Sequence, residues 1–126
     1  MVVRGLIDSG EDELAIELAL KTLNAFKSNC SEFVNSFDGK GHGVEKYAWT
    51  ASQFLELVIE VIFGVSYNAT ENEVVIAPRI FGELKKEKLS LENLKINSGQ
   101  SIDIYIEKGS ISYNVSDESI KVTVIE

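Results

Sequence analysis

Cysteine, proline, histidine and tryptophan are almost missing from this chain: 126 residues carry one of each, Cys30, Pro78, His42 and Trp49. A lone cysteine cannot close an internal disulfide, and one histidine with one cysteine leaves no ligand set for zinc. The acidic pairs Glu11 with Glu13 and Asp117 with Glu118 read as a helix cap and a turn rather than as a calcium site. Neither a phosphate-cradling loop nor a dinucleotide fingerprint occurs, so no metal and no other cofactor is expected. Positive charge is scarce too. Twelve basic against 20 acidic residues give a net charge of -8, which repels a phosphate backbone and an anionic membrane surface; no nucleic-acid or membrane partner is predicted. With no charged n-region and apolar h-region at its start, the sequence predicts an intracellular, cytoplasmic protein, in which the sequons at Asn29, Asn68 and Asn114 are coincidental.

What is present is the composition of a folded domain, 44% hydrophobic and 25% charged, of a size that buries a real core as one domain or as part of a larger one. The apolar spacing predicts a helix from about Glu11 to Ser28, opened by a Ser9–Asp12 capping box and wearing one narrow polar stripe of Glu13, Glu17, Lys21, Asn24 and Ser28. A second helix is predicted from Thr50, capped with Gln53, to about Phe63, with Gly64 as its left-handed stop. So much apolar circumference on two helices asks for neighbours on several sides.

From Glu73 the period changes to two. Glu73 to Ile76, Leu89 to Leu91, Leu94 to Ile96, Ile102 to Glu107, Ile111 to Val115 and Ile120 to Val124 read as strands, parted by turns at Asn97–Gln100, Lys108–Gly109 and Ser116–Ser119. The expected class is α+β: a helical hairpin followed by a small antiparallel β-sheet or sandwich. Its units would be 1–66 and 67–126, with a linker near Ser66 to Asn72.

Most of the chemistry falls between the helices, in a Gly-punctuated loop from Ser31 to Thr50 that holds Glu32, Asp38, His42, Glu45, Tyr47 and Trp49. A carboxylate beside aromatic rings suits sugars, whose C–H faces stack on rings while their hydroxyls bond carboxylates. The plainer reading stays open beside it: Trp49 as ordinary core at a helix start, Glu32 and His42 as solvated loop residues.

In order along the chain, Arg4-Gly5-Leu6, Gly10, Leu14-Ala15, Glu32-Phe33, Asn35, Gly39, Gly41, Tyr47, Trp49-Thr50-Ala51 and Pro78 form a pattern. Over about Val2 to Ile80 this resembles the closing part of the (α/α)6-barrel glycoside hydrolases. Those include the processing α-glucosidase I and mannosylglycerate hydrolase family and, more distantly, trehalases, glucoamylases and the glucosidase domain of glycogen-debranching enzymes. The Trp-Thr-Ala step is its most specific piece.

The resemblance implies that the helices are the end of an α/α toroid and that Glu32 is the general base of an inverting hydrolase acting on α-glucosidic linkages. In such enzymes the base deprotonates a water, while an acid about 6.5–9.5 Å away protonates the leaving oxygen. Tyr47 and Trp49 would line the sugar subsite, and His42 or Asp38 could bond a hydroxyl. Ser-Phe-Asp-Gly stands where many relatives carry a Pro-containing turn, so Asp38 remains the alternative carboxylate. The implied partners are a carbohydrate substrate and the remaining barrel, on the same or another chain. Two readings of other classes remain: a docking or self-associating module, forming a homo-oligomer through its helices, and a sugar-binding module using Tyr47 and Trp49.

Overall fold

The computed structural model describes residues 2–27 and 30–125. The chain is a small mixed α+β protein made of two compact units, Met1–Ile62 and Phe63–Glu126. The first unit holds helices α1 (Val2–Asp8), α2 (Asp12–Phe26) and α3 (Ala48–Glu56), and α3 runs on into a π-helical segment, Leu57–Ile62. No toroid is evident among the described residues.

Each helix departs from expectation at its ends. Ser9 does not open α2: its hydroxyl donates back to the carbonyls of Gly5 and Leu6, so it closes α1, and Glu11 at the start of α2 makes no side-chain cap bond. α2 ends at Phe26, and Ser28 lies outside the described residues. α3 begins at Ala48, which places Thr50 inside the helix rather than at its cap; the Thr50 hydroxyl donates 2.8 Å to the Ser31 carbonyl. α2 turns Ala15, Ile16 and Ala19 inward, and the π segment contributes Leu57, Val61 and Ile62. Arg4 ties α1 to the other helix, donating to Glu56 at 3.2 Å and to Glu60. Its guanidinium is held above its ordinary value, first by the Glu56 hydrogen bond.

The second unit carries two sheets. In one, β3 (Val65–Asn68) and β4 (Glu73–Ile76) form an antiparallel hairpin, so the stretch expected as a linker is the end of a strand and the hairpin turn that follows it. Gly64 does adopt the left-handed conformation, at φ +62°. The other sheet is an antiparallel meander of β5 (Lys88–Lys95), β6 (Ser101–Glu107) and β7 (Ser110–Val115). The two short strands expected at Leu89 and Leu94 are one strand with a bulge between Leu91 and Leu94, where Asn93 takes φ +55°. Ile102, Ile104 and Ile106 are 0%, 0% and 2% exposed, each worth about 1.5–3 kcal/mol of burial. The last strand, β8 (Lys121–Val124), does not extend the meander; it pairs parallel with β4, from Glu73 opposite Lys121 to Ile76 opposite Val124.

Candidate functional site

The loop between α2 and α3 is closed at its base and built into a hairpin above it. At the base the Tyr47 N–H donates to the Cys30 carbonyl, beside the buried Thr50 to Ser31 bond. Two hydrogen bonds from opposite ends of the same segment give it the closed neck of an Ω-loop, which is how a long connection holds one conformation. Above the neck lie β1 (Phe33–Val34) and β2 (Gly41–His42), with Phe33 opposite His42 and Val34 opposite Gly41. The Gly-punctuated loop expected between the helices thus contains a short two-stranded hairpin.

Glu32 sits where the hairpin leaves the neck, half-buried, and is bonded twice to Val44 across the loop. Its backbone N–H donates 3.0 Å to the Val44 carbonyl, and its carboxylate Oε2 accepts from the Val44 N–H at 3.3 Å. The Val44 N–H holds one carboxylate oxygen in place and leaves the other, Oε1, as the acceptor a general base needs. No such seat was legible in the sequence, because Val44 and Gly43 carry no functional group that would mark them.

Asp38 is placed differently. Its Oδ1 accepts the Lys40 N–H at 3.0 Å and its Oδ2 faces the Lys40 ammonium at 3.8 Å, so the carboxylate is occupied in shaping the hairpin tip. The tip is further closed by Asn35, whose side chain accepts the Phe37 N–H at 2.8 Å and whose carbonyl accepts the Gly39 N–H at 2.9 Å. No hydrogen bond among the described residues joins Asp38 to Glu32. His42 is exposed on β2 and meets Glu32 only through the pairing of Phe33. Tyr47 is half-buried in extended backbone at the start of α3, with φ -75° and ψ 120°.

Trp49 is not core. It is 78% exposed, against the reading of it as ordinary interior, and it belongs to a wider display in the same unit: Phe33 at 59%, Phe37 at 98% and Val44 at 57%. Of these, Phe37 and Val44 were not singled out by sequence reasoning, and Phe33 entered only as part of the Glu32-Phe33 pattern. A shallow crevice between α2 and α3 with its π-helical continuation is lined by Thr22, Phe26, Gln53 and Leu57 among others, and none of Glu32, Asp38, His42, Tyr47 or Trp49 borders it. Among the described residues no three His, Cys, Asp or Glu side chains gather to hold a metal ion, and no helix is long and apolar enough to cross a membrane.

Compared with protein-family models, with curated proteins and with solved structures, the chain matches none.

Proposed function

We propose that this chain supplies the general base of an inverting glycoside hydrolase acting on α-glucosidic linkages, its helices forming the last hairpin of an (α/α)6 barrel whose other helices come from the same or another polypeptide. The observation that carries the reading is the seat of Glu32: one carboxylate oxygen is held by the Val44 N–H, at the foot of a hairpin whose own turn is self-satisfied. Glu32 is preferred over Asp38 on the same ground, since the Asp38 carboxylate is engaged in its turn.

The chemistry follows from two carboxyl groups on opposite faces of a sugar. Glu32 takes a proton from a water, the water oxygen bonds to the anomeric carbon, and the bond to the leaving oxygen breaks as that oxygen takes a proton from the acid. The acid belongs to the missing part of the barrel, so the chain alone turns over nothing. Trp49 and Tyr47 stack on the sugar, and His42 bonds a hydroxyl.

The test uses the chain tagged and purified with its bound partner from the cells that make it, assayed for glucose release from maltose, kojibiose and trehalose. Activity should accompany the wild type and vanish with Glu32→Gln while folding is unchanged. Near-normal turnover in that variant sinks the reading.

A second reading, a non-catalytic docking module, is favoured by a different observation. Val2, Leu14 and Leu55, at 70%, 50% and 58% exposed, add to the aromatic display of the first unit. A wild-type preparation with a stoichiometric protein partner and no hydrolase activity would support it.

A further inference from the structure

Gly43 faces Glu32 across the loop, and its backbone lies at φ +78°, in the left-handed region. A Cβ built there would stand 2.8 Å from Glu32 Oε2, 3.0 Å from Glu32 Cβ and 3.0 Å from Phe33 Cδ2. Gly39, in the same hairpin, has nearly the same backbone at φ +68°, yet nothing lies within 4 Å of its Cβ position. Both glycines satisfy a backbone demand. Only one of them also makes room.

The room is for the carboxylate. Glu32 has three rotatable side-chain bonds and would wander over a wide arc if its seat were filled or absent. With no side chain at 43, Oε2 reaches over that residue to the Val44 N–H at 3.3 Å while the two backbones are joined by the 3.0 Å bond from the Glu32 N–H. A methyl at 43 pushes the carboxylate from its place, because Oε2 is the nearest atom it meets and the most mobile of the three.

Resting on the reading of Glu32 as general base, we propose that Gly43 is a positioning residue for it: the absent side chain lets the Val44 N–H hold Oε2, leaving Oε1 to take the proton of the attacking water. Displacing a reacting group by about 1 Å costs on the order of 100-fold in rate. Gly43→Ala therefore lowers kcat by at least tenfold and leaves KM within about twofold, since sugar contacts elsewhere are untouched. Gly39→Ala meets the same backbone strain without the collision and keeps kcat.

The experiment combines two readouts. In the tagged preparation described above, glucose release from maltose, kojibiose and trehalose is measured for the wild type, Glu32→Gln, Gly43→Ala and Gly39→Ala, with circular dichroism checking the fold of each. In the 126-residue chain, amide hydrogen exchange of Val44 is followed by nuclear magnetic resonance in the wild type and in Glu32→Ala, which removes the acceptor without touching Gly43. The expected result is at least tenfold slower Val44 exchange in the wild type than in Glu32→Ala, with kcat lowered at least tenfold in Gly43→Ala and kept in Gly39→Ala. Equal Val44 exchange in the two chains overturns the proposal even if Gly43→Ala does not fold. Full activity in Gly43→Ala, with Glu32→Gln dead, overturns the positioning role and leaves the base assignment standing. Turnover by Glu32→Gln, or none by the wild type, removes the base assignment and the positioning role together.

Discussion

Replacing Gly64 by alanine should damage the second unit far more than any other single methyl added to a glycine there. At φ +62° an L-residue carries about 1–2 kcal/mol of strain. The new Cβ would also stand 1.8 Å from the carbonyl oxygen and 2.3 Å from the carbonyl carbon of Ala77, so the two backbones must part by more than an ångström. They are coupled, because the Ala77 N–H donates to the Gly64 carbonyl at 3.1 Å; losing that bond costs about 1 kcal/mol. The next pair in the ladder is Val65 with Ile76, 7% and 0% exposed, and loosening it gives back about another 1–2 kcal/mol of burial. The expected loss is about 3–5 kcal/mol, in the range that marks a named structural collision rather than ordinary surface change. Gly82→Ala is the control, since its φ of +55° carries the strain but no atom lies within 4 Å of the added Cβ. The sole tryptophan, Trp49, is in the other unit and largely exposed, so fluorescence would miss the event. Urea titrations should instead follow resolved methyl signals of Ile76 and Ile104. Equal midpoints for Gly64→Ala and Gly82→Ala, with unchanged slopes, would refute the reasoning.

Two further substitutions probe the polar joints of the same unit. Asn72, at φ +49°, accepts from the Tyr67 hydroxyl at 2.9 Å and donates to the Ser119 carbonyl and hydroxyl at 3.1 and 3.3 Å; Asn72→Ala should cost about 2–4 kcal/mol, and Asn72→Gly about 1 kcal/mol less because it keeps the backbone conformation. Identical urea midpoints for the two variants would contradict this division of the cost. Asp117 is held below its usual value of 3.8 by the Ser119 N–H first, then by the Ser119 hydroxyl and the Gln100 side chain. A carboxyl depressed in the fold contributes stability that is present above the unfolded value and lost as pH falls through the folded one. Thermal melts taken from neutral pH to below 3.8 should therefore fall more steeply for the wild type than for Asp117→Asn, and parallel curves would remove Asp117 from the acid response.

The strands were legible where one face is buried. Ile102, Ile104 and Ile106 announce β6 because a sheet with a covered face imposes a period of two on its own sequence, and Lys108-Gly109 announces the turn because both residues take positive φ, at +50° and +81°. What strand β8 pairs with is not written in Ile120, Val122 and Val124: alternation fixes a face, never a partner. Ser9 was misread because a hydroxyl one residue beyond a helix can serve the carbonyls behind it as well as the N–H groups ahead, and α1 was too short to be seen from its pattern. The π segment Leu57–Ile62 has the composition of any buried helix. At the candidate site the carboxylate itself could be picked out by its surroundings in the chain, whereas its seat could not, because what lies above a glycine is decided by the strand across from it.

The parallel ladder between β4 and β8 also sets the order in which the second unit is made. Glu73 to Ile76 leave the ribosome long before Lys121 to Val124 do, so β4 meets the cell with the β3 hairpin on one side and a bare row of N–H and C=O groups on the other. An unpaired edge of this kind is a template for other chains. The meander β5–β6–β7 is synthesised entirely within that interval, as a cassette whose local pairings can zip at once while the strand that completes its neighbour is still to come. Slow translation across the cassette would prolong the exposed interval and fast translation would shorten it, so the pace of synthesis sets how long this edge stays open to other chains.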